Sequence, residues 1–194
     1  DHGTLVANGY DVETESSQPG YIRAIVRRGE NATKIEWAQD SAWRFMPVMR
    51  SEQFGYQLHP IDLATNRVLA LAGRDEPRDL LDTIYLHENV LPFRALVWAA
   101  VGKDPGYAPL SLLEMLRRRG KVRPEDLARL DLAVPVDLLE FKATWNTALQ
   151  EAEDFVRSRP PTESGCLYFS VSKREFVSPD PLDAGDTVPT SAAP

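Results

Sequence analysis

The chain has 194 residues, 43% of them hydrophobic, and a formal net charge of −7 at pH 7, enough apolar content for a sizeable core but the wrong sign for a general nucleic-acid binder. Cys166 is the single cysteine, which excludes an intramolecular disulfide framework and a cysteine zinc cluster and reads as a buried structural thiol. The longest apolar run, Ala95 to Val101, is too short to cross a bilayer and no basic-then-apolar leader opens the chain, so the expectation is a cytoplasmic protein without a membrane partner.

In chain order, a short helix stops at Asn8-Gly9. Tyr10 to Glu15, Tyr21 to Arg28 and Thr33 to Ala38 read as strands of an antiparallel meander, separated by the turn formers Ser16 to Gly20 and Gly29 to Asn31. The two-residue period puts Ile35 and Trp37 on one face of the last strand and Glu36 on the other.

From Pro60 the pattern is helical. Asp62 is placed to cap a helix ending near Leu71 and Gly73, and a second helix starts near Glu76-Pro77 and runs to His87. Helices over 93–101 and 110–119, a short one after Pro124 and a long one over 135–157 follow. The apolar face of the last is Leu138, Leu139, Phe141, Trp145, Leu149, Ala152 and Val156. Short strands at 166–170 and 175–177 close the folded part, and the tail from Ser178, rich in Pro, Ala, Asp and Thr, reads as disordered. The expected class is α+β, with a sheet region over 1–58, a helical domain over 59–177 and the tail over 178–194.

Common catalytic motifs are missing. There is no Gly-x-Ser-x-Gly elbow, and the Gly-Lys pairs at Gly102 and Gly120 lack the rest of a phosphate loop. His2, His59 and His87 have no metal-ligand spacing and read as structural or surface residues. Residues 61–123 alone are net positive, and hold the cluster Arg117, Arg118, Arg119, Lys121 and Arg123. That stretch is where a polyanion would bind, or else where cations solvate a helix end near its C-terminal dipole.

The informative stretch runs from Ile61 to Asp82. Arg67 and Arg74 are two helical turns apart on one face with Ala70 between them, and planar guanidinium forks suit a triphosphate or an acidic partner. Arg78, Asp79 and Asp82 open the next helix, with both carboxylates on one face near its positive end. The same residues would equally make a buried ion-pair network pinning two helices.

This stretch, over about residues 58–87, resembles the segment of AbiEii/AbiGii-type nucleotidyltransferases that reads Asp-Leu, a Lys, Ala-Leu, Arg, then Arg-Asp-x-x-Asp. The resemblance implies nucleotide-phosphate binding by Arg67 and Arg74 and support of the site by Arg78, Asp79 and Asp82. Arg67 stands where the family more often has Lys. It also implies a carboxylate on a core strand, for which Glu36 is the choice and Asp40 the runner-up, as catalytic group and ligand of Mg2+. The implied substrate is a nucleoside triphosphate, the acceptor RNA or protein, and a further partner a cognate antitoxin in a toxin–antitoxin setting.

The family's first carboxylates follow a Gly-Ser as Asp-x-Asp, and these 194 residues contain no Gly-Ser. Asp11-Val12-Glu13, the nearest acidic pair at that spacing, follows the first helix and reads as a solvated strand edge. Since the chain opens on Asp1 within what reads as the core, the expectation is a C-terminal part whose catalytic segment lay upstream, inactive alone. Two functions follow: a nucleotidyltransferase of this toxin type, or a non-catalytic nucleotide- or protein-binding module.

Overall fold

Turn chemistry sets the first part of the chain. In the computed structural model, which describes residues 2–39, 42–74, 76–179 and 185–193, helix α1 (His2–Ala7) is followed by β1 (Asp11–Gln18), β2 (Tyr21–Arg28) and β3 (Asn31–Ala38). Gly20 and Gly29 sit at the two hairpin turns with φ of 77° and 60°, where a side chain would be strained. The strands make the expected antiparallel meander in the order β1-β2-β3. Ala24 faces Ile35 across the β2–β3 ladder, Ile22 faces Trp37, and Arg23 faces Glu36. Ala24 and Val26 are buried, so this is the inner face, and Glu36 lies on the other, as the period predicts. On the outer strand β1 the register shifts between Thr14 and Ser16, and Asp11, Glu13 and Glu15 line it. A bulge and like charges both discourage pairing with a further strand.

The chain divides into two compact units, Asp1–Ala42 and Trp43–Pro194. The boundary therefore falls before residue 58. The reason lies in Asp62, whose carboxylate accepts hydrogen bonds from the backbone N–H groups of Phe45 and Met46 and fastens that segment to the helical unit. A two-stranded hairpin that the pattern does not show, β4 (Met49–Ser51) with β5 (Gly55–Gln57), also belongs there.

The helices of this second unit are α2 (Pro60–Gly73), α3 (Pro77–Asn89), α4 (Phe93–Ala100), α5 (Pro109–Arg119), α6 (Pro124–Leu127) and α7 (Leu138–Ser158). α4 is the hub. Phe93 and all residues from Ala95 to Ala100 are buried, and it packs on α2, α3, α5 and α7. Each fully buried Phe, Leu or Val side chain here stabilises the fold by about 1.5–3 kcal/mol. Phe93 meets Trp145 of α7 with ring centroids 4.9 Å apart, and Trp98, Phe155 and Tyr168 stack edge to face. α7 buries Phe141, Trp145, Ala148, Leu149, Ala152, Phe155 and Val156. Leu139, assigned to that face from spacing, is 82% exposed, because it sits in the first turn where Asp137 caps the helix by accepting from Leu139 and Glu140 N–H.

Strands β6 (Cys166–Ser170) and β7 (Glu175–Val177) fall where the sequence places them, and Cys166 is buried. The tail departs from expectation: Thr187–Ser191 forms β8, which pairs antiparallel with β6 and makes β6 the central strand. Thr187, Val188 and Thr190 are β-branched, and Pro189 is tolerated because β8 is an edge. Asp186 fixes the turn before it, accepting from Ser170 and Ser172 hydroxyls and Ser172 N–H. No helix among the described residues is long and apolar enough to cross a membrane.

Candidate functional site

Pro at the first position of both α2 and α3 starts each helix, and the short link between them folds α3 back beside α2. This brings the Arg67–Arg74 face of α2 against the first turn of α3. Asp79, only 1% exposed, is the focus. Arg67 Nη1 donates to its Oδ1 at 2.5 Å, Arg74 Nε to its Oδ2 at 2.5 Å, and Arg74 Nη2 to its Oδ1 at 3.0 Å. Arg67 Nη2 also lies 3.2 Å from Asp82, which is 3.7 Å from Arg78. Burial pushes the Asp79 carboxyl up, but the hydrogen bonds from Arg74 and then Arg67 outweigh it and hold it below the ordinary aspartate value.

All five residues chosen from this motif therefore share one cluster, and it is a helix-pinning ion-pair network. The side chain of Arg67 is 29% exposed, that of Arg74 57% and that of Arg78 73%. A guanidinium held on one edge by a carboxylate is a pre-oriented donor for an anion arriving from solvent.

Glu36 belongs to the first unit, exposed on the outer face of β3. Its Oε1 accepts from Tyr21 Oη and Arg23 Nε, both at 2.9 Å, and lies 3.7 Å from Lys34 Nζ. The Tyr21 hydrogen bond, with Lys34 and Arg23, holds its carboxyl below the ordinary glutamate value against the opposing effect of burial. Asp40, the alternative, falls outside the described residues. Among those described, no three His, Cys, Asp or Glu side chains come together as a metal could require. Glu36, surrounded by cations and a phenol, does not fit a two-metal centre by itself.

Asp62 carries a function that spacing concealed. It is not the cap of α2; His59 is, its Nδ1 accepting from Ile61 N–H at 3.2 Å. Asp62 is fully buried, and Lys103 Nζ, beyond the end of α4 and 6% exposed as a residue, donates to its Oδ1 at 3.0 Å. The partners are 41 residues apart, so no local signal reveals them. His87 is likewise structural, its Nδ1 accepting from Phe93 N–H at 2.9 Å. Of the basic cluster, Arg117 pairs with Glu153 and Arg118 with Glu114, as a solvated helix end would, whereas Lys121 and Arg123 border a cavity with Arg129. Arg129 was not singled out from the sequence, since one arginine in a short irregular segment carries no pattern. Comparison of the chain with models of known protein families, with curated proteins and with solved structures returned no match.

Proposed function

We propose that this chain is the helical part of an AbiEii/AbiGii-type nucleotidyltransferase together with a remnant of its core sheet, and that Arg67 and Arg74 receive the phosphates of a nucleoside triphosphate. One observation carries the reading: a single buried carboxylate, Asp79, gathers both guanidinium groups while Arg74 keeps more than half of its side chain in solvent. Asp79 orders them, Asp82 braces Arg67 from the side and is itself 3.7 Å from Arg78, and an incoming phosphate would meet guanidinium groups already oriented by carboxylates. Mg2+ and an RNA or protein acceptor belong to this reading by resemblance, as does an antitoxin partner. Glu36 is the carboxylate these residues offer to a metal, and others would have to join it.

The second reading is a non-catalytic nucleotide- or protein-binding module. The occupation of Glu36 by Tyr21, Arg23 and Lys34 favours it. The readings separate when the 194-residue chain is incubated with each labelled nucleoside triphosphate, magnesium or manganese, and total RNA or protein. The chain alone is expected to give no incorporation, since among the described residues Glu36 is the one candidate metal carboxylate. Robust labelling abolished by Glu36→Ala would show that the chain carries a working transfer centre.

A further inference from the structure

A second basic site adjoins the start of α3 and shares no residue with the Asp79 cluster. A cavity of about 520 Å³ opens between the start of α3 and the turn joining α5 to α6 and is lined by Arg118, Lys121, Arg123 and Arg129, with Glu76 and Asp126 as the acids among its described lining residues. Among the described lining residues the formal balance is four positive charges against two negative, +2, in a protein of net charge −7. Asp126 is further committed, since its Oδ2 accepts from Arg123 N–H at 2.9 Å. Arg118 is engaged by Glu114. Lys121, Arg123 and Arg129 have no carboxylate within ion-pair distance among the described residues.

The backbone aims these cations deliberately. Gly120 ends α5 against Trp145, where a Cβ would fall 2.4 Å from the indole Nε1, so a side chain there would force a shift. Val122 then plugs into the core at 4% exposure, and Arg123 is extended (φ −111°, ψ 159°). Lys121 and Arg123, on either side of the buried Val122, are both exposed. Neither belongs to the last turn of α5, so complementing the helix dipole does not account for them. The remaining described lining residues are Pro77 and Leu130, and none of the described lining residues offers an aromatic ring on which a base could stack.

We propose that this cavity binds phosphate groups of a polyanion without reading bases, supplied either by the phosphodiester backbone of a single-stranded RNA or by a free polyphosphate. The site does not depend on the transferase reading, and its test keeps the two apart.

The experiment measures binding of a short labelled single-stranded RNA to the full 194-residue chain, at low and at physiological salt, with inorganic tripolyphosphate as competitor. Lys121, Arg123 and Arg129 are changed together to alanine, and Arg74→Gln is run in parallel. The exposed triple variant is expected to keep its melting temperature and to bind at least ~10-fold more weakly. Its log–log salt slope should fall by about 2, from roughly 0.7 per lost phosphate contact on a single strand. Tripolyphosphate should raise the melting temperature of the unmodified chain more than that of the triple variant, which keeps Arg67 and Arg74. RNA resisting competition identifies the strand as the source, and displacement by equimolar tripolyphosphate identifies the free polyanion. The proposal is overturned if the triple variant binds like the parent, if binding is lost only in Arg74→Gln, or if neither probe binds at low salt.

Discussion

Replacing Asp79 by asparagine keeps the side chain's size and removes the charge on which Arg67 and Arg74 converge. Removing one partner of a buried ion pair costs about 3–5 kcal/mol when the other is left dry. Here the partners are 29% and 57% exposed and recover water, so the cost falls below that range, to about 2–3 kcal/mol. For a unit of this size each kcal/mol moves the melting temperature by roughly 2–4 °C, which places the drop at about 5–10 °C. Arg74→Ala should cost less, about 1 kcal/mol, because Arg67 still pairs with Oδ1 of the carboxylate. The pH dependence has a definite sign. The folded value of Asp79 is depressed, so its contribution is fully present above the unfolded value of about 3.9 and is lost as pH falls through the folded one. The gap between the parent and Asp79→Asn should therefore be constant near neutrality and close below about pH 4. Thermal unfolding followed by far-ultraviolet circular dichroism suits this, since every helix but α1 lies in the second unit. A gap under about 0.5 kcal/mol at neutral pH, or one that persists unchanged into acid, would refute Asp79 as the charged anchor of α2 and α3.

Lys103→Met should cost about 3 kcal/mol by chemical denaturation, and adding Asp62→Leu should recover only part of it, because Phe45 and Met46 N–H lose their acceptor. Full recovery in the double variant would contradict the dual role of Asp62. Gly102→Ala, whose Cβ would lie 2.3 Å from the Gly165 carbonyl oxygen, should destabilise more than Gly120→Ala, which meets the Trp145 side chain; urea unfolding of both ranks them. Deleting residues 185–194 removes β8 and uncovers the edge of β6. Cys166, buried beside Ser191 Oγ at 3.4 Å, should then react rapidly with a thiol reagent that leaves the intact chain nearly untouched.

What the sequence disclosed was whatever local chemistry dictates. Gly20 and Gly29 punctuate the meander, Pro77 opens α3, Gly120 ends α5, and two-turn spacing put Arg67 and Arg74 on one face, where Asp79 indeed joins them. Long-range partners were not legible. Asp62 in the first turn of a helix has the features of a cap, and only the fold shows that its true partners are Phe45, Met46 and Lys103. Strand β8 was hidden because Thr187 to Ser191 has a disorder-like composition and gains its ladder only from β6. The three-residue strands β4 and β5 are too short to show a period.

The phosphate role of Arg67 and Arg74 is tested most directly by titrating a nucleoside triphosphate into the unmodified chain and into Arg74→Gln at low salt, with the melting temperature of each recorded. The account predicts weak, strongly salt-dependent binding to the unmodified chain. It predicts loss of that binding in Arg74→Gln with only a small drop in melting temperature, since Asp79 stays paired with Arg67. Absence of binding to the unmodified chain, or equal binding to both, would contradict it and leave the Arg67–Asp79–Arg74 cluster as a structural clasp.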